Sequence, residues 1–346
     1  MTNECRDLSV LEADILQCGL NLGEHITLNE MYEVWIGVKS GIKRTSYEKY
    51  IYYYNRYIKR YLGNLEIKLI KKSTIKRFYN ILYNQHNLSI STLVINHAIL
   101  RQIFEMAVDD EYITNNPVNG ALDEVRRYKE PKKRNVLTKA EQDIFLNNLK
   151  TQERFKHYYP AFAVMLGTGL RVGELSGLMW GDVDFDNNYI YVRRTLVWVN
   201  KGEHARELIT QSTKTIYGNR KIPMFNQVRD ILQDLKTTAR HCKDDDYVFL
   251  SKTGHNCNCA VLNQEIKIFI RWFNHTHNET LPDFSCHTLR HTFATRLCES
   301  GVNVKFIQSV MGHANIRTTM DIYVEAGEDL IESTFKSIDE TIFFNN

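Results

Sequence analysis

Across residues 45–62, TSYEKYIYYYNRYIKRYL, tyrosine, isoleucine and leucine recur at helical spacing with lysine and arginine between them. The pattern predicts an amphipathic helix with a basic outer face. Just before it, TLNEMYEVWI (27–36) predicts a short helix with Thr27 as its N-cap. Helical spacing continues near 73–86 and 89–113. The last of these runs into ITNNPV, where Pro117 turns the residue before it away from helix. These segments predict a small all-α domain over residues 27–125.

A second pattern begins at Thr138. LTKAEQDIFLNNL opens with a T-x-x-E capping box, Thr138 to Glu141, and predicts a new helix. The period then changes. DVDFDNNYIYVRRTLVWVN (182–200) alternates and is rich in β-branched and aromatic residues, as strands are. LITQSTKTIYGNRKIP (208–223) predicts strand, turn at Tyr217-Gly218-Asn219, strand. Helical patterns return after 226. The chain is therefore expected to be multidomain and mainly α, with a second, mixed α+β domain carrying a small antiparallel sheet. Residues 1–26 form a short N-terminal extension, 126–137 a linker, 138–326 the second domain and 327–346 a tail. In the tail, Leu330, Ile331, Phe335, Ile338, Ile342 and Phe343 give an amphipathic cast.

The gross numbers agree with this division. At 346 residues the chain exceeds the size at which one core stops growing. Its 43% hydrophobic and 25% charged content is that of a globular protein, and no apolar run reaches the ~20 residues that cross a bilayer. The first residues, MTNECRDLSV, lack the basic and apolar regions of a secretory signal. The seven scattered cysteines favour reduced thiols and a cytoplasmic setting.

Charge changes the picture more. The net charge of +3 conceals a segment, 31–137, with 19 Lys and Arg against 10 Asp and Glu. Residues 1–30 hold one basic residue against six acidic ones. Residues 125–137, VRRYKEPKKRNVL, place six basic residues around Pro131 with no apolar period. A solvated linker or a strap along a phosphate backbone both fit this composition. Basic segments on an otherwise neutral chain point to a polyanion, most simply nucleic acid.

Four places could carry chemistry. In GTGLRVGELSGL (167–178), glycines lead into a helix start bearing Arg171, with Glu174 three residues on. A guanidinium at a helix start would attract anions, although a surface Arg–Glu pair fits equally. Lys214 lies in STKT, before the expected turn. HTLRHTFATRL (287–297) spaces His287 and Arg290 three apart, on one helical face, with His291 pointing elsewhere. MGHANIRTTMDIY (311–323) holds His313 and, ten residues later, Tyr323. Arginine grips phosphate oxygens in a fork, histidine moves protons near neutral pH, and tyrosine becomes a nucleophile in cationic surroundings. Together they suit attack on a phosphodiester.

The ordered motifs TGLRVGEL, STKT…GNRKIP, HTLRHTFAT and MGHANIRTTMDIY resemble those of the tyrosine recombinase (phage integrase) family, as found in phages and conjugative transposons. The likeness runs from about residue 27 to 325. It implies a SAM-like, all-α core-DNA-binding domain followed by a tyrosine recombinase catalytic domain. It implies that Arg171 and Arg290 clamp the scissile phosphate, Lys214 protonates the departing 5′ oxygen, and His287 and His313 bond the phosphate. Glu174 would support the site. Tyr323 would attack, giving a 3′-phosphotyrosyl link that a 5′ hydroxyl can reverse, with neither metal nor ATP. The expected role is site-specific integration and excision of a mobile element. The expected partners are double-stranded DNA with core sites, a homotetramer on that DNA, and accessory excision and host architectural proteins, with no membrane. The tail would dock on a neighbouring protomer or on its own domain. Lys43, Arg44, Thr45, Lys132, Lys133 and Arg134 are candidates for DNA backbone contact. Many such integrases carry an arm-binding domain ahead of the helical one, and the 26 residues here are too few to form it.

Two other motifs fail. Asp182, Asp184 and Asp186 begin like a calcium loop, but Asn187 replaces the needed glycine and Arg193 the closing glutamate. His255, Cys257 and Cys259 lack the second pair of a zinc site. Two rival functions remain: a type IB topoisomerase, and a DNA-binding regulator with a dead site. The integrase-like helical domain argues against the first and the full residue set against the second.

Overall fold

A computed structural model describes residues 25–39, 41–123, 135–200, 206–212 and 219–325. The expected N-terminal extension lies almost wholly outside the described residues. So do most of the linker, with Lys132, Lys133 and Arg134, the segment with Lys214, and the tail. The chain divides into two compact units, Met1–Pro131 and Lys132–Asn346.

In the first unit, α1 (Leu28–Gly37) starts where the sequence predicts. The Thr27 hydroxyl accepts from the Glu30 amide at 3.3 Å, and Glu30 Oε2 accepts from the Thr27 amide at 2.8 Å. Its buried residues, Leu28, Met31, Tyr32 and Trp35, fall on one face. The single helix expected over 45–62 is instead α2 (Arg44–Tyr53), a π-helical turn (Tyr54–Ile58) and α3 (Lys59–Leu62). The wider turn sets Tyr54 and Ile58 both inward. Tyr54 stacks on Tyr32 at 3.5 Å between ring centroids and donates its hydroxyl hydrogen to Asn29 Oδ1 at 2.9 Å. Two longer helices, α4 (Lys72–Asn84) and α5 (Ile90–Asp109), complete the core with Phe78, Tyr79, Ile99 and Phe104.

The second unit begins with α6 (Lys139–Thr151), capped by the Thr138–Glu141 box, and α7 (Glu153–Lys156). Its centre is α8 (Tyr159–Thr168), YPAFAVMLGT, apolar almost all round and therefore buried almost all round. A short helix, α9 (Val172–Ser176), follows. The strands are β1 (Val183–Asp184), β2 (Tyr189–Val192), β3 (Arg194–Asn200), β4 (Arg206–Ser212) and β5 (Arg220–Pro223). They form two antiparallel sheets, β1-β2-β5 and β3-β4. This corrects the expected single sheet and the expected hairpin of the 208–223 segment: β4 pairs with β3, whereas β5 turns back to β2, with Ile222 opposite Ile190. The reason lies in Ile222, which alternation aims inward to close the core beside Ile190.

Helices α10 (Asn226–Thr238), α11 (Cys259–Thr276), α12 (Cys286–Glu299), α13 (Val304–Met311) and α14 (Ile316–Glu325) finish the unit. Helix α8 packs against α10 and α12, and α12 against α13 and α14. Helix α9 lies close on β3. A Cβ added at Gly173 would stand 2.4 Å from Thr195 Oγ1 and 3.0 Å from the Leu196 carbonyl oxygen, so only glycine permits this approach.

Candidate active site

Helix α13 ends at Gly312, which caps it in the left-handed conformation with φ +62°. The carbonyls at a helix C-terminus have no helical partners and carry the negative end of its dipole. Here three successive carbonyls each receive one arginine. Arg220 Nε donates to Val310 O at 2.6 Å, Arg290 Nη2 donates to Met311 O, and Arg171 Nη2 donates to Gly312 O at 3.1 Å. Arg290 also donates to the carbonyl of Gly169, the left-handed cap of α8.

Three clustered guanidiniums need a counter-charge, and Glu174 supplies it. Its Oε1 accepts from Arg171 Nη1 at 2.7 Å and from Arg220 Nη1 at 3.1 Å. Its Oε2 accepts from the Arg171 amide and from Arg220 Nη2, both at 2.9 Å. The carboxylate is 5% exposed. Burial pushes its pKa up, but the hydrogen bond and charge of Arg220, then the charges of Arg171 and Arg290, outweigh burial and take it to about 2. Arg290, 2% exposed, is pushed down to about 9 by burial and by the charge of Arg171, which Glu174 only partly offsets. It remains a cation at neutral pH. The helix start expected to attract anions is thus filled by Glu174, and Arg171 is the N-cap of α9 rather than part of its first turn.

His313 follows the arginine-bearing carbonyls directly. Its amide donates to Gln308 O at 3.1 Å and its Nδ1 is 3.0 Å from Thr319 Oγ1, on α14. These bonds fix the ring between α13 and α14. His287 lies exposed one turn before Arg290, its ring edge-on to His291 at 4.3 Å, so His291 lies beside His287 rather than pointing elsewhere as expected. The two positions three apart on α12 therefore differ in burial: Arg290 points into the cluster and His287 to the surface.

Tyr323 sits in α14, half-buried, and its hydroxyl donates to the carbonyl of Val302 in the turn between α12 and α13. Burial and the neighbouring Cys298 push its pKa above the ordinary value. Among the described residues its hydrogen bond is to the protein backbone. Lys43, Arg44 and Thr45 stand in the first unit at the start of α2, where Arg44 Nε meets Glu48 Oε1 at 3.4 Å.

Sequence reasoning missed Arg220, whose side chain is 5% exposed. Its signal was available. Strand alternation places Arg220 on the same face as the inward Ile222, and an inward cation requires a partner. Also missed was the pair of arginines on Asp182. Its buried carboxylate accepts from Arg193 Nη1 at 3.0 Å and from Arg194 Nη1, so this aspartate anchors the start of the sheet.

Comparison with known proteins gives a consistent result. The model of the phage integrase family matches residues 135–329, and that of the phage integrase N-terminal SAM-like domain matches residues 27–83. A tyrosine recombinase XerC-like protein of Caldanaerobacter subterraneus subsp. tengcongensis is 30% identical over 325 residues, covering 88% of this chain and 81% of that one. The transposase from transposon Tn916 of Enterococcus faecalis is 26% identical, over 92% of this chain and 79% of its own. A Tn1549 transposon integrase solved in complex with transposon right end DNA superposes with a TM-score of 0.81 at 28% identity, covering 90% of this chain and 99% of that one.

Proposed function

The chain belongs to the phage integrase family of tyrosine recombinases, and from that premise we propose that it cuts and rejoins DNA at specific sites to integrate and excise a mobile element. The observation that carries the reading is the end of α13, where Arg171 and Arg290 are bound to adjacent carbonyls beside His313.

In this reading a scissile phosphate is held by Arg171, Arg290 and His313, with His287 at the rim. Fixed cations meet the extra charge on the non-bridging oxygens as the transition state forms, at about 10²–10³-fold in rate per donor. Tyr323 leaves the Val302 carbonyl, passes its proton to water and attacks phosphorus. The bond from phosphorus to the 5′ oxygen breaks, and Lys214 returns a proton to that oxygen. The product is a 3′-phosphotyrosyl link and a free 5′ hydroxyl. A 5′ hydroxyl from another strand reverses the step. The phosphodiester energy is retained in the covalent link, so ATP is not consumed.

Exchange between two duplexes needs four cleavages, so the working form is a homotetramer on two core sites. Lys43, Arg44, Thr45, Lys132, Lys133 and Arg134 contact the backbone of those sites. Accessory excision and host architectural proteins would set direction, and the tail joins protomers. The reaction takes place with the host DNA in the cytoplasm. Among the described residues no helix is long and apolar enough to cross a membrane.

A nicked suicide duplex tests the reading. The wild-type protein should become covalently attached to DNA through Tyr323, and Tyr323→Phe should not, while still binding the duplex. Attachment that persists in Tyr323→Phe would sink it.

A further inference from the structure

We propose that Arg220 is a positioning residue for strand cleavage: it fixes Glu174 and the last turn of α13 so that Arg171, Arg290 and His313 are set in place before DNA arrives. The inference rests on the reading of these three residues as the phosphate clamp.

Arg220 has the bonds of a brace. Its side chain is 5% exposed, whereas that of Arg171 is 43% exposed. Three hydrogen bonds of its guanidinium run inward: Nη1 and Nη2 to the two oxygens of Glu174 at 3.1 and 2.9 Å, and Nε to Val310 O at 2.6 Å. A guanidinium delivers these three donors in one rigid plane, which a lysine cannot do. One side chain on β5 therefore ties α9, through Glu174, to the end of α13, through Val310. The Glu174 carboxylate in turn aims Arg171 through Nη1 and the backbone amide, at 2.7 and 2.9 Å. Arg171 then reaches Gly312, the residue before His313.

The chain of contacts has a direction. Arg171 alone could swing toward solvent, and the α13 carbonyls alone could fray, as helix ends do. With Arg220 in place both are held by the same carboxylate and the same turn. Displacing reacting groups by about 1 Å costs on the order of 100-fold in rate, so a brace of this kind acts on the chemical step more than on binding. Arg220 also lies six residues after Lys214 in the sequence, in the strand that resumes the described chain beyond it.

The test compares wild type, Arg220→Ala, Arg220→Lys and Tyr323→Phe on a nicked suicide duplex whose core sequence is taken from sequenced adduct junctions. Four quantities are read: melting temperature, affinity for the intact duplex, single-turnover rate of adduct formation, and the pH profile of that rate. Arg220→Ala should lose about 100-fold in adduct rate with affinity within about 3-fold of wild type. Its acid limb should move to higher pH, because Glu174 loses the partner that most lowers its pKa. Methylguanidinium added to Arg220→Ala should restore rate by at least several-fold. Arg220→Lys keeps charge and most of the volume, and should lose about 10-fold. If Arg220→Ala does not fold, Arg220→Lys carries the test alone. A wild-type rate in Arg220→Lys, no rescue by methylguanidinium in a folded Ala variant, or a rate loss matched by an equal loss of affinity would each overturn the proposal. Adduct in wild type but not in Tyr323→Phe, with unaltered rates in both Arg220 variants, rejects the brace and leaves the recombinase reading standing. No adduct in wild type rejects both.

Discussion

Arg171 donates to the carbonyl of Gly312 at 3.1 Å, so the side chain at the start of α9 is tied to the residue just before His313, 141 positions further along the chain. The carbonyl that holds Arg171 belongs to the peptide bond leading into His313, so two catalytic candidates from distant motifs meet at one peptide. The link makes a definite statement about Arg171→Lys. A lysine offers a point charge in place of a fork, so it can satisfy Glu174 or Gly312 but not both. Adduct formation should fall by about 10²–10³-fold, with affinity for the duplex reduced far less. Equal losses in the two would mean that Arg171 serves binding alone.

Gly169→Ala should damage the same cluster from the other side. Gly169 has φ +64°, and an added Cβ would meet Phe293 Cδ1 at 2.4 Å and Met311 Sδ at 2.9 Å. The left-handed backbone costs about 1–2 kcal/mol for a residue with a Cβ, and forced overpacking about 1–3 kcal/mol. The carbonyl of Gly169 also accepts from Arg290, so movement here displaces that guanidinium. Denaturant unfolding should show a loss of about 2–4 kcal/mol, and adduct formation by the folded fraction should be slowed as well.

Asp182→Asn should behave differently. The carboxylate of Asp182 is 1% exposed and holds Arg193, Arg194 and the Met179 amide, none of which contacts the α13 carbonyls. Removing its charge leaves Arg194 paired only in part and should cost about 2–3 kcal/mol, with Arg193, half-exposed, contributing little. The rate per folded molecule at low temperature should stay near wild type. A large rate loss there would mean that the sheet and the site are coupled through more than Arg220.

Much of this was legible because local chemistry and tertiary context agree. The Thr27 and Thr138 capping boxes satisfy their own helix ends, and the alternation of β2 matches its buried face, so short stretches sufficed. Two features were not legible for the same physical reason. The π-helical turn at Tyr54–Ile58 and the pairing of β5 with β2 are set by distant packing partners, Tyr32 and Ile190, which spacing along the chain does not encode. At the site, the residue types Arg171, Glu174, Arg290, His313 and Tyr323 could be named from motifs. That Glu174 bridges two arginines depends on β5 bringing Arg220 beside α9, and that Tyr323 bonds Val302 depends on α14 folding back onto the turn before α13. Arg220 was overlooked because a lone arginine beside a lysine in RKIP looks like a solvated strand until its face is assigned.

The strongest dependence on pH should come from Glu174. Its carboxyl has an ordinary value of 4.5 and is held at about 2 in the folded protein. A depressed folded value means that the stabilisation is fully present above the unfolded value and is lost as pH falls through the folded one. The window therefore runs from about pH 5 down to about pH 2, and the contribution above it is about 3 kcal/mol. Other carboxyls titrate in the same range, so the wild-type curve alone does not isolate the effect. The comparison with Glu174→Gln does. Glutamine has nearly the same shape but no charge, and it leaves Arg171, Arg220 and Arg290 uncompensated, a buried-charge loss of about 3–5 kcal/mol. At pH 7 the variant should be less stable by roughly that amount. As pH falls below about 4.5, protonation takes from wild type what the substitution already removed, so the two stabilities should converge toward pH 2. Denaturant titrations of both proteins at pH 7, 5, 4 and 3 give the gap directly. A gap that stays constant from pH 7 to 3 would show that Glu174 is not an ionised bridge between Arg171 and Arg220.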